Sequence, residues 1–209
     1  MNSHAQEFDR QVQNLIDKKY PDILKISIND FKNSLNKLQN SIETAGELNL
    51  VGGKIPFVIV IKSPNREAEQ LMEHVEREGK QGYSKMFPHE AKEFYPQESL
   101  NIPKHFAYLL VDIDRGKETI NIAPQDALKT ILEQNRSPLT IDEGVAIVTQ
   151  YPDFLMKNNC FSLLGSRCPG NKRVPAIWIN AAKRPNLGWC WDGNPHTWLG
   201  SASCSERVG

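Results

Sequence analysis

The stretch Pro56-Phe-Val-Ile-Val-Ile61 is apolar at every position and contains four β-branched residues. A short run of this kind, apolar on both faces, is typical of a strand buried on both sides of a sheet. The stretch Phe106-Ala-Tyr-Leu-Leu-Val-Asp-Ile113 has the same character. The sequence therefore predicts a core built on two buried strands.

Helical patterns lie between and after these two strands. Ser63-Pro64 is typical of a helix start, with Pro at the first helical position. The helix that follows is expected to bury Ala68, Leu71, Met72 and Val75. A second helix is predicted from Pro124. Thr140-Ile-Asp-Glu143 matches a capping box, in which Thr140 and Glu143 each accept a hydrogen bond from the other's backbone amide.

Two amphipathic helices are predicted before the first strand. Residues 6–18 place Phe8, Val12, Leu15 and Ile16 on one face. Residues 28–44 do the same for Ile28, Phe31, Leu35, Leu38 and Ile42, with Ser27 as the N-cap. We expect residues 1–50 to form an N-terminal helical extension and residues 51–209 to form an α+β domain.

The pattern changes to short strands after Cys160, with Gly, Pro and Asn between them. The strand candidates are Phe161–Leu164, Val174–Asn180, Leu187–Trp191 and Thr197–Ser201. This spacing predicts a C-terminal antiparallel meander. The fold class is therefore predicted as α+β, with a mixed core of buried strands and packed helices, an N-terminal helical extension and this meander.

Composition restricts the classes of partner. The chain has 25 Lys and Arg residues against 25 Asp and Glu residues, so a general nucleic-acid binder is not expected. The N-terminus lacks the pattern of a secretory signal, and the longest apolar run is too short to span a bilayer. We therefore expect a cytoplasmic protein with no membrane partner and with reduced cysteines.

The rare residues are concentrated in the C-terminal quarter. All four Trp and all four Cys lie between Cys160 and Cys204. Within Gly188–Trp198, the two Trp of the first strand are expected on one face and Cys190 on the other. Paired indoles beside polar turn residues are typical of a platform for a sugar, a base or a cation, although they are also typical of a core. The candidate ligand-binding residues are Trp189, Trp191, Asp192, Asn194, His196 and Trp198, with a small ligand or a peptide as the partner.

Two chemical alternatives use the same segment. In the first, His196 acts as the base for a nucleophilic Cys190 or Cys204 in a hydrolase or transferase. In the second, His196 and the four cysteines bind a metal. The cysteines are separated by seven, 21 and 13 residues, which is not the close pairing of a zinc knuckle, so no metal ligands are assigned.

A third alternative is a structural or partner-binding protein that docks through its N-terminal helices. Asp112-Ile-Asp114 places two carboxylates on one face of a strand, which is compatible with binding of a divalent cation. Asp before Arg-Gly is also ordinary turn chemistry. No catalytic signature is present in the sequence, and no cofactor is assigned from it.

Four blocks of the sequence carry a pattern that extends beyond single elements. They are Tyr108-Leu-Leu-Val-Asp-Ile-Asp-Arg-Gly116, Ser137-Pro-Leu-Thr-Ile-Asp-Glu-Gly144, Cys160-Phe-Ser-Leu-Leu-Gly-Ser-Arg-Cys168 and Leu187-Gly-Trp-Cys-Trp-Asp-Gly-Asn-Pro-His-Thr-Trp-Leu-Gly200. In these blocks the chain resembles an uncharacterised bacterial family, common in actinobacteria and catalogued as a domain of unknown function. The resemblance implies a bacterial intracellular protein and carries no activity, cofactor or catalytic residue.

Overall fold

The computed structural model describes residues 3–44 and 51–209 of the chain. Its α-helices are α1 (Ser3–Asp17), α2 (Tyr20–Leu24), α3 (Ile28–Gln39), α4 (Ala68–Met72), α5 (Pro124–Glu133) and α6 (Ile141–Gln150). Its strands are β1 (Lys54–Ile61), β2 (Glu76–Arg77), β3 (Lys80–Gln81), β4 (Tyr83–Ser84), β5 (Tyr95–Pro96), β6 (Ala107–Asp114), β7 (Ser137–Pro138), β8 (Cys160–Ser162), β9 (Ser166–Arg167), β10 (Arg173–Ile179), β11 (Pro185–Trp191), β12 (Leu199–Ser201), β13 (Ser203–Cys204) and β14 (Glu206–Val208).

The first sheet is built on the two strands predicted to be buried. β1 and β6 pair antiparallel, with Ile59 opposite Leu109. Every residue of β1 after Lys54 is buried. The sheet continues in the order β1-β6-β13-β7, and β14 pairs with β6 as well. β1 is therefore an edge strand of this sheet, although its residues lie in the core.

The second sheet has the order β12-β8-β10-β11-β4. β8, β10 and β11 pair antiparallel, as predicted for the C-terminal meander. The two outermost strands do not follow the predicted antiparallel pattern. β12 pairs with β8 in parallel, and β4 pairs with β11 in parallel. The α+β fold class is confirmed, and the parallel outer pairs follow from strands that arrive from distant parts of the chain.

Helix α6 is packed between the two sheets. A Cβ atom placed on Gly144 would lie 2.6 Å from Leu163 Cδ1 and 3.2 Å from Ile177 Cδ1, so glycine is needed for this close approach to the second sheet. The predicted capping box is present, because Glu143 N–H donates to Thr140 Oγ1 and Thr140 N–H donates to Glu143 Oε2.

The N-terminal helices are part of the core. Helices α1 and α3 bury Phe8, Val12, Leu15, Phe31, Leu35 and Leu38 in the same hydrophobic cluster as β1 and β6. Ser27 caps α3, as predicted, by accepting a hydrogen bond from Asp30 N–H. Ile28 was expected on the buried face but is 49% exposed, because it is the first residue of the helix. The expected boundary at residue 50 falls outside the described residues, so the division into extension and domain stays a prediction.

Within the described ranges, no helix combines the length and the apolar character that a membrane crossing requires.

Asp142, in the first turn of α6, supplies a prediction about pH. Burial raises the pKa of its carboxyl from 3.8 to about 6. The native state therefore holds this proton more tightly than the unfolded chain, and ionisation of Asp142 destabilises the fold. Between about pH 4 and pH 7 this group is expected to lower the free energy of unfolding by about 2 to 3 kcal/mol.

The check on Asp142 is urea denaturation of the parent and of Asp142→Asn at pH 4 and at pH 8. The two proteins are expected to differ little at pH 4, whereas Asp142→Asn should be more stable at pH 8. Equal differences at both pH values would contradict the assignment to Asp142.

Candidate functional site

The hairpin of β10 and β11 separates the predicted aromatic residues onto two faces. Trp189 pairs with Pro175 and Trp191 with Arg173 across the strands. The two indoles lie on one face with their centroids 5.3 Å apart. The guanidinium carbon of Arg173 lies 4.3 Å from the Trp189 ring and 4.5 Å from the Trp191 ring. These two indoles therefore already hold a cation that belongs to the protein itself.

The other face of the hairpin carries a second aromatic cluster of Trp178, His196 and Trp198. The ring centroids of Trp178 and Trp198 are 6.2 Å apart, and those of His196 and Trp198 are 5.3 Å apart. Gly188 makes this arrangement possible, because a Cβ atom there would lie 2.3 Å from Trp178 Cη2. The absence of a side chain at Gly188 lets the Trp178 indole lie across β11.

A cavity of about 280 Å³ opens at this cluster. Its walls include the imidazole of His196, whose Nε2 atom is buried and has no hydrogen-bond partner among the described residues. A buried polar atom without a partner is rare, and such atoms are often completed by a ligand or water. The lining residues are Ala176, Trp178, Trp189, Cys190, Trp191, His196, Trp198 and Leu199.

A larger cavity of about 700 Å³ has Trp178 and Trp198 in its wall as well. Sequence reasoning missed this part of the site, because Arg77, Lys157 and Lys183 come from three distant segments that line it together. Arg77 forms an ion pair with Glu78 at 2.8 Å. Lys157 and Lys183 are exposed and make no side-chain hydrogen bond or ion pair with described residues, which leaves two cations free at this cavity.

Two predicted residues, Asp192 and Asn194, lie outside the lining of both cavities. Asp192 accepts a hydrogen bond from Arg167 Nη2 at 2.9 Å and is mostly buried in that ion pair. Asn194 is exposed, and its N–H donates to Trp191 O within the turn. The six predicted residues therefore divide into four at a cavity wall and two with structural contacts.

The cysteine chemistry weighed from the sequence finds little support in this geometry. All four cysteines are free thiols. Burial raises the pKa of the Cys190 and Cys204 thiols to about 12 in each case. A thiol with such a pKa is almost wholly protonated near neutral pH and is a poor nucleophile. Burial raises the pKa of Cys160 as well.

The alternative of a metal site around His196 is not supported either, since no group of three potential metal ligands in the described part of the chain includes this residue. Among the described residues, the group that brings three potential ligand side chains together is His89, Glu93 and Cys168. The two carboxylates of β6 that were considered for a divalent cation both have partners within the protein. Asp112 binds Arg136 at 2.6 Å, and Asp114 Oδ1 accepts the Gly116 N–H at 2.7 Å, as expected of a turn.

The docking alternative is weakened by the fold, because the apolar faces of α1 and α3 are buried inside the chain itself. They are not free surfaces for a partner.

A family model described as a family of unknown function (DUF5701) matches residues 14–209. No curated protein and no solved structure matches the chain.

Proposed function

The chain belongs to that family of unknown function, and from the geometry of the site we propose that it binds a small ligand in the C-terminal aromatic-polar cleft. The ligand carries a planar ring and a negatively charged group, as a small molecule or as the end of a peptide. The observation that carries this proposal is the aromatic wall of Trp178 and Trp198, which faces an apolar cavity on one side and a cationic cavity on the other.

The expectation of a planar ring in the ligand is supported by the partial exposure of two indoles. Trp178 and Trp198 are half-buried, so each indole is held in place by packing while part of its face stays open. Rings held in this way stack on planar ligands at little entropic cost. His196 lines the same cavity, and its buried Nε2 atom has no hydrogen-bond partner among the described residues.

The expectation of a negatively charged group in the ligand is supported by the positive residues at the larger cavity. Arg77, Lys157 and Lys183 line the larger cavity. Arg77 is paired with Glu78 at 2.8 Å and lies 3.8 Å from Asp153, whereas the two lysines have no ion-pair partner among the described residues. From residue 151 to the end, the chain also has seven Lys and Arg against three Asp and Glu. A surface of this sign attracts anions and increases their association rate.

Binding can be tested with pairs of probes that differ in charge. Indole-3-acetate and adenosine monophosphate are titrated against neutral indole-3-acetamide and adenosine while tryptophan fluorescence is followed. We expect the anionic member of at least one pair to bind more tightly. Trp198→Ala is expected to weaken that binding by about tenfold or more, since stacking on an aromatic side chain contributes about 1 to 3 kcal/mol.

Lysine variants separate the role of the cationic cavity from a general effect of charge. Lys183→Ala is expected to weaken the anionic probe more than the neutral one. Lys129→Ala, which removes an exposed lysine of α5 outside both cavities, is the matched control and should leave both affinities unchanged. Equal effects of the two lysine variants, or binding that is insensitive to Trp198→Ala, would contradict the proposal.

A further inference from the structure

Three potential metal ligands of different chemistry meet on the surface next to the β10–β11 hairpin. His89, Glu93 and Cys168 each offer one ligand atom, and these atoms all lie within 4.8 Å of one another. In a tetrahedral zinc site the ligand atoms lie about 3.5 Å apart, given metal–ligand distances of roughly 2.0 to 2.3 Å. The cluster therefore needs only small side-chain movements to surround one ion.

The fold holds the three residues from two separate segments. His89 and Glu93 are four residues apart, and Glu93 ends the 3-10 helix Ala91–Glu93. Glu93 Oε1 accepts the Glu90 N–H at 2.8 Å, so Oε2 is turned to His89 Nδ1 at 2.9 Å. Cys168 begins the turn that Asn171 closes, with Asn171 N–H donating to Cys168 O.

We propose that His89, Glu93 and Cys168 bind one divalent ion of the zinc class. Imidazole, carboxylate and thiolate are the ligands that zinc accepts in tetrahedral sites, and three protein ligands leave the fourth position for water. The charges also match. A carboxylate and a thiolate bring two negative charges, which a divalent cation neutralises. All three side chains are half-buried, so the ion is accessible from solvent.

Metal binding requires two proton movements. The Cys168 thiol releases its proton to solvent when the thiolate binds the ion. The imidazole proton of His89 now lies on Nδ1, because Asn171 Nδ2 donates to Nε2 at 2.7 Å while Asn171 Oδ1 accepts the Arg173 N–H at 2.9 Å. With the ion on Nδ1, that proton moves to Nε2, and the Asn171 amide must rotate to accept it.

This requirement gives the proposal a sharp test. A carboxylate at position 171 can accept both the His89 Nε2–H and the Arg173 N–H without rotation, and carboxylate–histidine–zinc arrangements strengthen binding. Asn171→Asp is therefore expected to raise zinc affinity by about tenfold. Cys168→Ser is expected to lower it by about tenfold or more. Both changes are measured on the full chain by competition with a chromophoric zinc chelator.

Cobalt provides a readout that does not depend on affinity. Co²⁺ added to the parent protein should show a thiolate-to-cobalt charge-transfer band, and Cys168→Ser should remove it. His105→Ala is the matched control for His89→Ala, because His105 is an exposed histidine outside the cluster.

One zinc ion per chain, lost in His89→Ala and retained in His105→Ala, supports the site. Zinc binding that survives both Cys168→Ser and His89→Ala overturns it, as does less than about half an ion per chain. Circular dichroism of each variant confirms that loss of binding is not loss of fold. This test is independent of the aromatic cleft, since none of the three ligands lines either cavity.

Discussion

Replacement of Glu143 by Gln is expected to lower the free energy of unfolding by about 3 to 5 kcal/mol. Glu143 is fully buried, and Arg207 is 5% exposed beside it. The carboxylate accepts hydrogen bonds from the Arg207 guanidinium at 2.5 and 3.0 Å and from the Tyr108 hydroxyl at 2.8 Å. Gln keeps the size of the side chain but leaves Arg207 as a buried cation without its counter-charge.

The surroundings of this ion pair increase the expected effect. Burial, followed by the charge of Glu143, raises the pKa of Tyr108 well above its ordinary value, so the phenol stays neutral and donates throughout the physiological range. Glu143 also completes the capping box of α6 through Thr140 N–H. Because α6 packs between both sheets, we expect the loss of stability to exceed that of the Glu143–Arg207 pair alone. A domain of this kind has only about 5 to 15 kcal/mol of stability in total.

Urea denaturation of the parent, Glu143→Gln, Arg207→Met and the double variant measures this pair. The double variant should be more stable than the sum of the single losses predicts, because no uncompensated charge remains. Glu133→Gln, at an exposed position of α5, is the control and should change stability by less than about 0.5 kcal/mol. A loss below about 1 kcal/mol for Glu143→Gln would show that water or another group compensates Arg207.

Replacement of Gln11 by Leu is expected to lower the free energy of unfolding by about 2 to 4 kcal/mol. Gln11 is fully buried on α1 against the free edge of β1. Its Oε1 accepts the Ile59 N–H at 2.8 Å, and its Nε2 donates to Phe57 O at 3.1 Å. The side-chain amide thus takes the place of a neighbouring strand. Leu is similar in size but leaves both backbone groups buried without partners.

Gln13 offers a matched control on the same helix. It is exposed, and within the described ranges its side chain bonds only to Asp17, so Gln13→Leu should change stability by less than about 0.5 kcal/mol. Hydrogen exchange provides a second measurement, since the Ile59 amide should lose protection in Gln11→Leu more than the amides that pair with β6. Equal losses for the two glutamine variants would contradict the role of Gln11 as the cover of an edge strand.

The candidate site could be located from the sequence but not assembled from it. The clustering of Trp and Cys pointed to the C-terminal quarter, and strand alternation correctly placed Trp189 and Trp191 on one face. The sequence could not reveal that the Arg173 guanidinium already stacks on the rings of Trp189 and Trp191. Nor could it reveal that Trp178 joins Trp198 at a cavity on the other face, because that contact depends on the pairing of strands.

The proposed metal ligands could likewise be predicted only in part from the sequence. The spacing of His89 and Glu93 was a readable signal, since residues four apart can meet on one turn. The third residue, Cys168, lies 75 positions beyond Glu93 in the chain, and no local pattern connects the two.

Local sequence patterns are sufficient to predict several elements of the fold: the two buried strands, the amphipathic faces of α1 and α3, the capping box of α6 and the short strands after Cys160. Each of these is set by periodicity, capping or turn chemistry within a few residues. Long-range packing, in contrast, sets the parallel outer strands, the hydrogen bonds of Gln11 to the edge of β1 and the buried ion pair of Glu143 with Arg207. These contacts join residues 39 to 103 positions apart. Their energies arise from burial and hydrogen bonding that exist only once the two sheets and their helices have packed.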